Sequence, residues 1–259
     1  MIGDPVSHSL SPRMHNAAFA ARGLDWAYVP LHVPPARLEE AVAGLVALGF
    51  AGANVTIPHK TAVLAFCDEL DDIAERAGSV NTLVVREGRV LGSSTDGEAI
   101  VGAVSADDAE VLVLGAGGAA QAIATALLDA GARALTVAAR DPERAHALAA
   151  RLLTLFPDHA VHAAESWPPN ADGTLIVNAT PVRDELVVEP ARGQQVVDLV
   201  YEPDGSPTAL VAAARAAGCD RVVDGLDVLV AQGAGSFERW TGIPAPAEVM
   251  RAAVRSLSA

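Results

Sequence analysis

Between residues 110 and 120 the chain reads Glu-Val-Leu-Val-Leu-Gly-Ala-Gly-Gly-Ala-Ala. An apolar run of strand length enters G-x-G-x-x-A and continues as a helix, an order that leaves few folds open. The first glycine turns the chain sharply, the second admits a close backbone approach, and the small Ala120 lets helix and strand pack tightly. The helix start keeps unpaired N–H groups and the positive end of its dipole, which suits a pyrophosphate. A glycine fingerprint alone also fits an unliganded turn. Here a second strand (134–139) and a second helix (142–155) follow at βαβ spacing, so a dinucleotide is expected at Gly115, Ala116, Gly117, Gly118 and Ala119.

The end of the second strand bears on which dinucleotide. It reads Ala138-Ala139-Arg140-Asp141-Pro142-Glu143-Arg144, with Arg140 where a guanidinium could grip a 2′-phosphate and Arg144 one turn later. That favours NADP(H). Asp141 could serve a ribose hydroxyl or cap the helix begun by Pro142, and capping is the plainer reading.

Strands and helices alternate along the rest of the chain, which predicts an α/β protein with a mostly parallel sheet. Helices are expected near 12–22, 37–48, 68–76, 97–104, 118–130, 207–217, 227–240 and 245–257. Strands are expected at 26–33, 51–56, 110–114, 160–163, 174–178 and 195–200, with a hairpin over 82–91. Ser105-Ala106-Asp107-Asp108 reads as a polar linker, so two domains are expected: 1–104 with 226–259, and 105–225 between them.

Composition narrows the partners. Eighteen basic against thirty-two acidic residues give a net charge of -14. Nucleic acid and an anionic membrane are both disfavoured by such a surface. No signal peptide is expected from Met1-Ile2-Gly3-Asp4-Pro5, and the uncharged run from Val111 to Leu128 is expected to divide into a strand and a helix instead of a span. Cys67 and Cys219 form neither a disulfide framework nor a metal site and are expected as buried thiols. A cytoplasmic protein with no metal is expected.

Three polar stretches stand out in the first hundred residues: Ser7 to Pro12 at a helix start, Gly52 to Lys60 at and beyond a strand end, and Asn81-Thr82 with Thr95-Asp96-Gly97 around the hairpin. Each has an ordinary reading as caps and turns. Together they offer neutral donors and acceptors, one Lys and one Asp, which suits a small polyhydroxylated molecule. Lys60 is also the one lysine among eighteen basic residues. Arginine does not release its proton in proteins, whereas lysine can, which makes Lys60 a candidate for proton transfer.

HSLSP, GANVTIPHK, SVNT, STDG, VLGAGGAA, NATP, DLVYEP and GLDVLVAQGAGSFERWTG occur in this order from residue 8 to 242. In these blocks the chain resembles the shikimate dehydrogenase family. The resemblance implies an α/β substrate domain completed by C-terminal helices, a Rossmann-type NADP domain, and reversible reduction of 3-dehydroshikimate to shikimate. It further implies that Ser9 and Ser11 hold the substrate carboxylate. Asn54, Thr56, Asn81, Asp96 and Gln232 would meet its hydroxyls or ketone, with Tyr201 lining the pocket and Lys60 and Asp96 as the catalytic pair. Thr180, Leu199 and Gly225 would lie toward the nicotinamide, with the Gly115–Ala119 loop and the Arg140/Arg144 clamp on the phosphates.

The chain departs from the family pattern in four places. Only Met1 and Ile2 precede the Gly3-Asp4-Pro5 turn where a fuller strand is usual, and Ser94 replaces a commoner Asn. Asp141 stands where Thr is usual, and Arg183-Asp184 replaces an apolar or glycine pattern, which predicts a more polar mouth. An NAD-dependent quinate/shikimate dehydrogenase and a non-catalytic NADP-binding regulator are the alternatives, and a monomer or homodimer is expected.

Overall fold

The structure is a computed structural model and describes residues 1–256. Among them the chain forms two compact units, one comprising Met1–Asp96 with the chain from Leu229 onward, the other Gly97–Val228.

The first unit opens with β1 (Ile2–Gly3), α1 (Ser11–Ala21), β2 (Leu31–His32), α2 (Leu38–Ala47) and β3 (Gly52–Asn54). It continues with β4 (Glu69–Leu70), α3 (Asp72–Ala77), β5 (Thr82–Arg86) and β6 (Arg89–Ser93). Strands β3-β5-β6-β4 form one sheet, β1 pairs in parallel with β2, and Ile2 also bridges to Val55. Ile2, Val42, Leu45, Val63, Leu83 and Val90 meet in the core.

At the boundary lies α4 (Asp96–Val101). The second unit then runs β7 (Glu110–Leu114), α5 (Gly118–Asp129), β8 (Ala134–Ala138), α6 (Pro142–Leu155), β9 (Ala160–Ala163) and β10 (Leu175–Asn178). It ends with β11 (Gln195–Asp198), α7 (Ala209–Ala217) and β12 (Arg221–Val223), before α8 (Gly225–Thr241) and α9 (Ala247–Arg255). All its sheet pairs are parallel, in the order β12-β11-β10-β7-β8-β9. Counted within the unit this is the doubly wound dinucleotide-binding order, with the reversal between β7 and β10. Alternation places Val111, Val113, Val177 and Val197 against Ile123 and Leu127 of α5, while Leu112, Leu114, Ile176 and Val196 meet Leu210 and Ala214 of α7. Both faces are covered, hence the continuous apolar strands. The uncharged run from Val111 divides into β7 and α5 as expected, and no helix among the described residues is long and apolar enough to cross a membrane.

Several expectations need correction. The strand expected over 26–33 shrinks to Leu31–His32. The Asn16 side chain takes both backbone groups of Tyr28, accepting from its N–H at 2.7 Å and donating to its carbonyl at 3.0 Å, in place of a sheet neighbour. The helix expected at 68–76 begins at Asp72, because the Asp71 carboxylate accepts the Ala74 N–H (2.7 Å) as its cap and Glu69–Leu70 pairs with β6. The boundary expected at Val104 falls at Asp96, since Ile100, Val101, Ala103 and Val104 pack into the core of the second unit. The second boundary moves from Gly225 to Val228. The last helix, expected to reach 257, is seen to Arg255, and residue 257 lies outside the described residues. Both thiols are half-buried instead of buried; burial, then the neighbouring Asp68, pushes the Cys67 thiol up to about 11.

Candidate active site

In the first unit, the antiparallel register of β3, β5 and β6 brings Asn54 opposite Thr82 and Thr82 opposite Ser93. Polar residues at those strand ends therefore converge. Close packing is required at Gly52, where a Cβ would lie 2.2 Å from the Leu83 carbonyl oxygen and 2.4 Å from Trp240 Nε1. The segment after β3 is pinned by His59, whose Nε2 lies 2.7 Å from the Val33 carbonyl oxygen, and by the Val80 N–H donating to the Lys60 carbonyl (2.8 Å).

So held, Lys60 Nζ donates to Asp96 Oδ2 at 2.5 Å. Both side chains are mostly buried, at 15% and 8% exposure, so the pair is shielded from the screening that weakens surface ion pairs. The second Asp96 oxygen accepts from Asn81 Nδ2 (2.9 Å), and the same nitrogen lies 2.8 Å from Thr95 Oγ1 and 3.3 Å from Gln232 Oε1. Asn81 Oδ1 accepts from the Thr95 backbone (2.9 Å) and from Thr82 Oγ1 (2.9 Å). The structure thus joins four of the residues singled out in the sequence: Lys60, Asp96, Asn81 and Gln232. An amine held by a carboxylate, itself oriented by an amide, can position a substrate oxygen and exchange a proton with it.

Asn54 ends β3. It is buried, and its amide is satisfied within the protein: Nδ2 donates to Ser236 Oγ (2.8 Å) and the Asn81 carbonyl (3.1 Å), while Oδ1 accepts from the Tyr28 hydroxyl (2.7 Å). Its amide ties the end of β3 to Asn81, to Ser236 on α8 and to Tyr28. Thr56 is half-buried beyond β3, with its N–H donating to the Ile2 carbonyl (3.0 Å). Ser11, expected as a cap, is the first residue of α1 and is buried; Ser9 Oγ accepts the Ser11 N–H instead (3.2 Å).

In the second unit, Gly115 has φ +112°, and a Cβ there would meet the Ala179 carbonyl oxygen at 2.9 Å. Gly117 precedes α5, whose first turn has no side-chain cap and no acidic residue. Its free N–H groups and dipole suit a phosphate. Ala116, Gly118 and Ala119 are half-buried around this turn, and Arg140 and Arg144 are exposed. Asp141 accepts the Glu143 N–H (3.1 Å) as the cap of α6, so its carboxylate is committed to the helix.

Thr180 N–H (3.1 Å) and Oγ1 (2.7 Å) both donate to Asn178 Oδ1, and Asn178 Nδ2 donates to Asp198 (2.9 Å). Asp198 also accepts from Thr208 Oγ1 (2.5 Å) and the Val200 N–H (3.1 Å); burial nevertheless pushes its carboxyl above the usual carboxylate range. The Leu199 N–H donates to the Asn178 carbonyl (3.0 Å). At Gly225 a Cβ would lie 2.2 Å from the Val200 carbonyl oxygen, so only glycine lets α8 start there. Tyr201 is half-buried on the segment after β11, and Arg183 lies 3.5 Å from Glu202 in an ion pair.

Sequence reasoning missed Tyr28, His59, Thr82, Thr95 and Ser236. The last four lie inside motifs already singled out, and asking which motif side chains face one another would have found them. Tyr28 carried no such signal.

Three family models match the chain: the shikimate dehydrogenase substrate binding domain over residues 1–83, shikimate / quinate 5-dehydrogenase over 97–192, and the shikimate 5'-dehydrogenase C-terminal domain over 225–255. A curated shikimate dehydrogenase (NADP(+)) of Moorella thermoacetica is 43% identical over 272 residues, covering 98% of this chain and 91% of that protein. A shikimate dehydrogenase solved in complex with NADP+ superposes with a TM-score of 0.89 at 35% identity, covering 100% of this chain and 94% of that one. The Thermus thermophilus shikimate 5-dehydrogenase, solved with NADP(H) and shikimate, gives a TM-score of 0.85 at 35% identity, covering 99% and 97%.

Proposed function

Because the chain belongs to the shikimate dehydrogenase family, we propose that it is an NADP-dependent oxidoreductase interconverting shikimate and 3-dehydroshikimate, with Lys60 and Asp96 as its catalytic pair. The observation that carries this reading is the shielded Lys60–Asp96 contact at 2.5 Å, with Asn81 on the second carboxylate oxygen. When bound, NADPH supplies the hydride and NADP+ accepts it. The amine of Lys60 gives a proton to the ketone oxygen during reduction and takes one from the hydroxyl during oxidation. Asp96 holds that amine in place and shares the reacting oxygen's hydrogen bonds. Asn81 and Gln232 fix the orientation of the ring hydroxyls, Thr56 adds a further hydroxyl, and Tyr201 contributes a substrate contact.

The first unit acts as the substrate domain and the second as the NADP domain. The Gly115–Ala119 loop and the start of α5 hold the pyrophosphate, and Arg140 and Arg144 pair with the 2′-phosphate. Thr180, Leu199 and Gly225 shape the nicotinamide side. The capping role of Asp141 supports NADP over NAD, because that carboxylate is turned to the Glu143 N–H. Shikimate-dependent formation of NADPH, followed by absorbance and repeated with quinate and with NAD, tests the reading. Turnover of quinate with NAD alone would replace it with the quinate dehydrogenase alternative. The protein works in the cytoplasm as a monomer or homodimer, which cell fractionation and sedimentation would check.

Two variants probe the binding roles. Arg140→Ala is expected to raise the KM for NADP several-fold and leave NAD turnover nearly unchanged; equal effects on both would remove Arg140 from the phosphate clamp. Ser9→Ala removes a hydroxyl proposed to hold the substrate carboxylate. A hydrogen bond to a charged group is worth about 1.5–3 kcal/mol, so the KM for shikimate should rise at least about tenfold. An unchanged KM would leave Ser9 with only its contact to the Ser11 N–H.

A further inference from the structure

Tyr28 lies outside every motif that marks the site, yet three hydrogen bonds through the buried Asn54 and Asn81 separate its hydroxyl from Asp96. The Tyr28 hydroxyl donates to Asn54 Oδ1 (2.7 Å), Asn54 Nδ2 reaches the Asn81 carbonyl (3.1 Å), and Asn81 Nδ2 reaches Asp96 (2.9 Å). The direction of the first bond follows from the others. The Asn81 carbonyl can only accept, so the Asn54 nitrogen must face it and the Asn54 oxygen must face Tyr28. Asn54 Nδ2 also donates to Ser236 Oγ on α8 (2.8 Å), one turn beyond Gln232.

Tyr28 is held by three residues, one on its backbone and two on its ring. Asn16 clamps its backbone through both amide groups, at 2.7 and 3.0 Å. His15 stacks on the ring with centroids 4.5 Å apart, and Trp240, whose Nε1 donates to the Leu83 carbonyl (2.9 Å), tilts against it at 5.9 Å. The Asn54 amide that this hydroxyl meets bonds from the end of β3 to the residue before β5 and to α8. Thr56 and Lys60 follow β3, Asn81 immediately precedes β5, and Gln232 lies on α8.

We propose that Tyr28 is a positioning residue for the shikimate reaction, acting through Asn54 on Asn81 and on the Ser236 face of α8; this rests on the functional reading above. The test compares wild type, Tyr28→Phe, Ser236→Ala and the double variant in shikimate oxidation with NADP+. Tyr28→Phe should lower kcat about tenfold, the scale of one lost orienting hydrogen bond, with the KM for NADP+ unchanged. Because both residues act on one amide, the double variant should lose little more kcat than the worse single variant. A kcat for Tyr28→Phe within twofold of wild type, or losses that multiply in the double variant, would overturn the proposal and leave Tyr28 as packing, visible only in Tm. Asn16→Ala, at an exposed position, releases the same ring if Tyr28→Phe fails to fold; it should lower kcat several-fold, and an unchanged kcat would overturn the proposal equally. A wild-type protein inactive on shikimate would overturn the functional reading and the proposal together, whereas an active wild type with unaffected variants overturns the proposal alone.

Discussion

Replacing Lys60 with Arg is expected to lower kcat by roughly 10²-fold or more while the KM for NADP+ stays put, because the change removes proton transfer and little else. The guanidinium keeps the positive charge and can still pair with Asp96, which sits 2.5 Å from the Lys60 nitrogen. It can still donate to a substrate oxygen. What it cannot do is give up a proton and regain it within a turnover. Steady-state kinetics against shikimate and NADP+ separate the two roles of the residue. An anchoring role alone predicts activity within about tenfold of wild type with the same pH dependence, and that result would falsify the acid–base assignment. Asp96→Asn is the companion measurement: it leaves Lys60 a hydrogen-bond acceptor but no counter-charge, and kcat should fall with it.

The second large effect concerns stability in acid. His15 on α1 is completely buried among Phe19, Tyr28 and Trp240, and neither ring nitrogen has a hydrogen-bond partner among the described residues. Burial drives its pKa from 6.5 down to about 3. The folded protein therefore binds fewer protons at this site than the unfolded chain between those two values, and stability falls as pH falls through that window. The contribution is fully present above 6.5, and each unit of acidification below it costs up to about 1.4 kcal/mol. At pH about 4.5 the loss from this one ring is on the order of 3 kcal/mol, a large share of a typical domain's stability. His15→Phe keeps the ring stack and removes the titration. Denaturant unfolding at neutral pH and at pH about 4.5 should show the wild type losing more than the variant, on the order of 3 kcal/mol. Equal losses would mean that His15 accepts its proton in the folded state. The same substitution removes two buried nitrogens without partners, so at neutral pH the variant should be no less stable than wild type if the phenyl ring fits the space.

Sequence alone determined most of the second unit, though neither its edge strand β12 nor its two boundaries. Its strands must be apolar on both faces and its helices must cover them, so period, turn glycines and caps all act locally; β7, β9 and α6 fall where alternation, Pro142 and Asp141 put them. It also singled out Lys60, Asn81 and Asp96, polar groups near strand ends that the structure joins by hydrogen bonds. Only the tertiary structure decided how those groups are employed. Asn54 is satisfied by Ser236, 182 residues away, and by Tyr28, 26 residues away, and no local pattern encodes such partners. The strand expected through Tyr28 was lost to a side chain of α1 that bonds the backbone as a neighbouring strand would. The unit boundary moved to Asp96 because Ile100 and Val104 bury more apolar surface in the second core than a linker would leave exposed. Local chemistry names the participants, and long-range burial, which desolvates each polar group and obliges it to find a partner, assigns their roles.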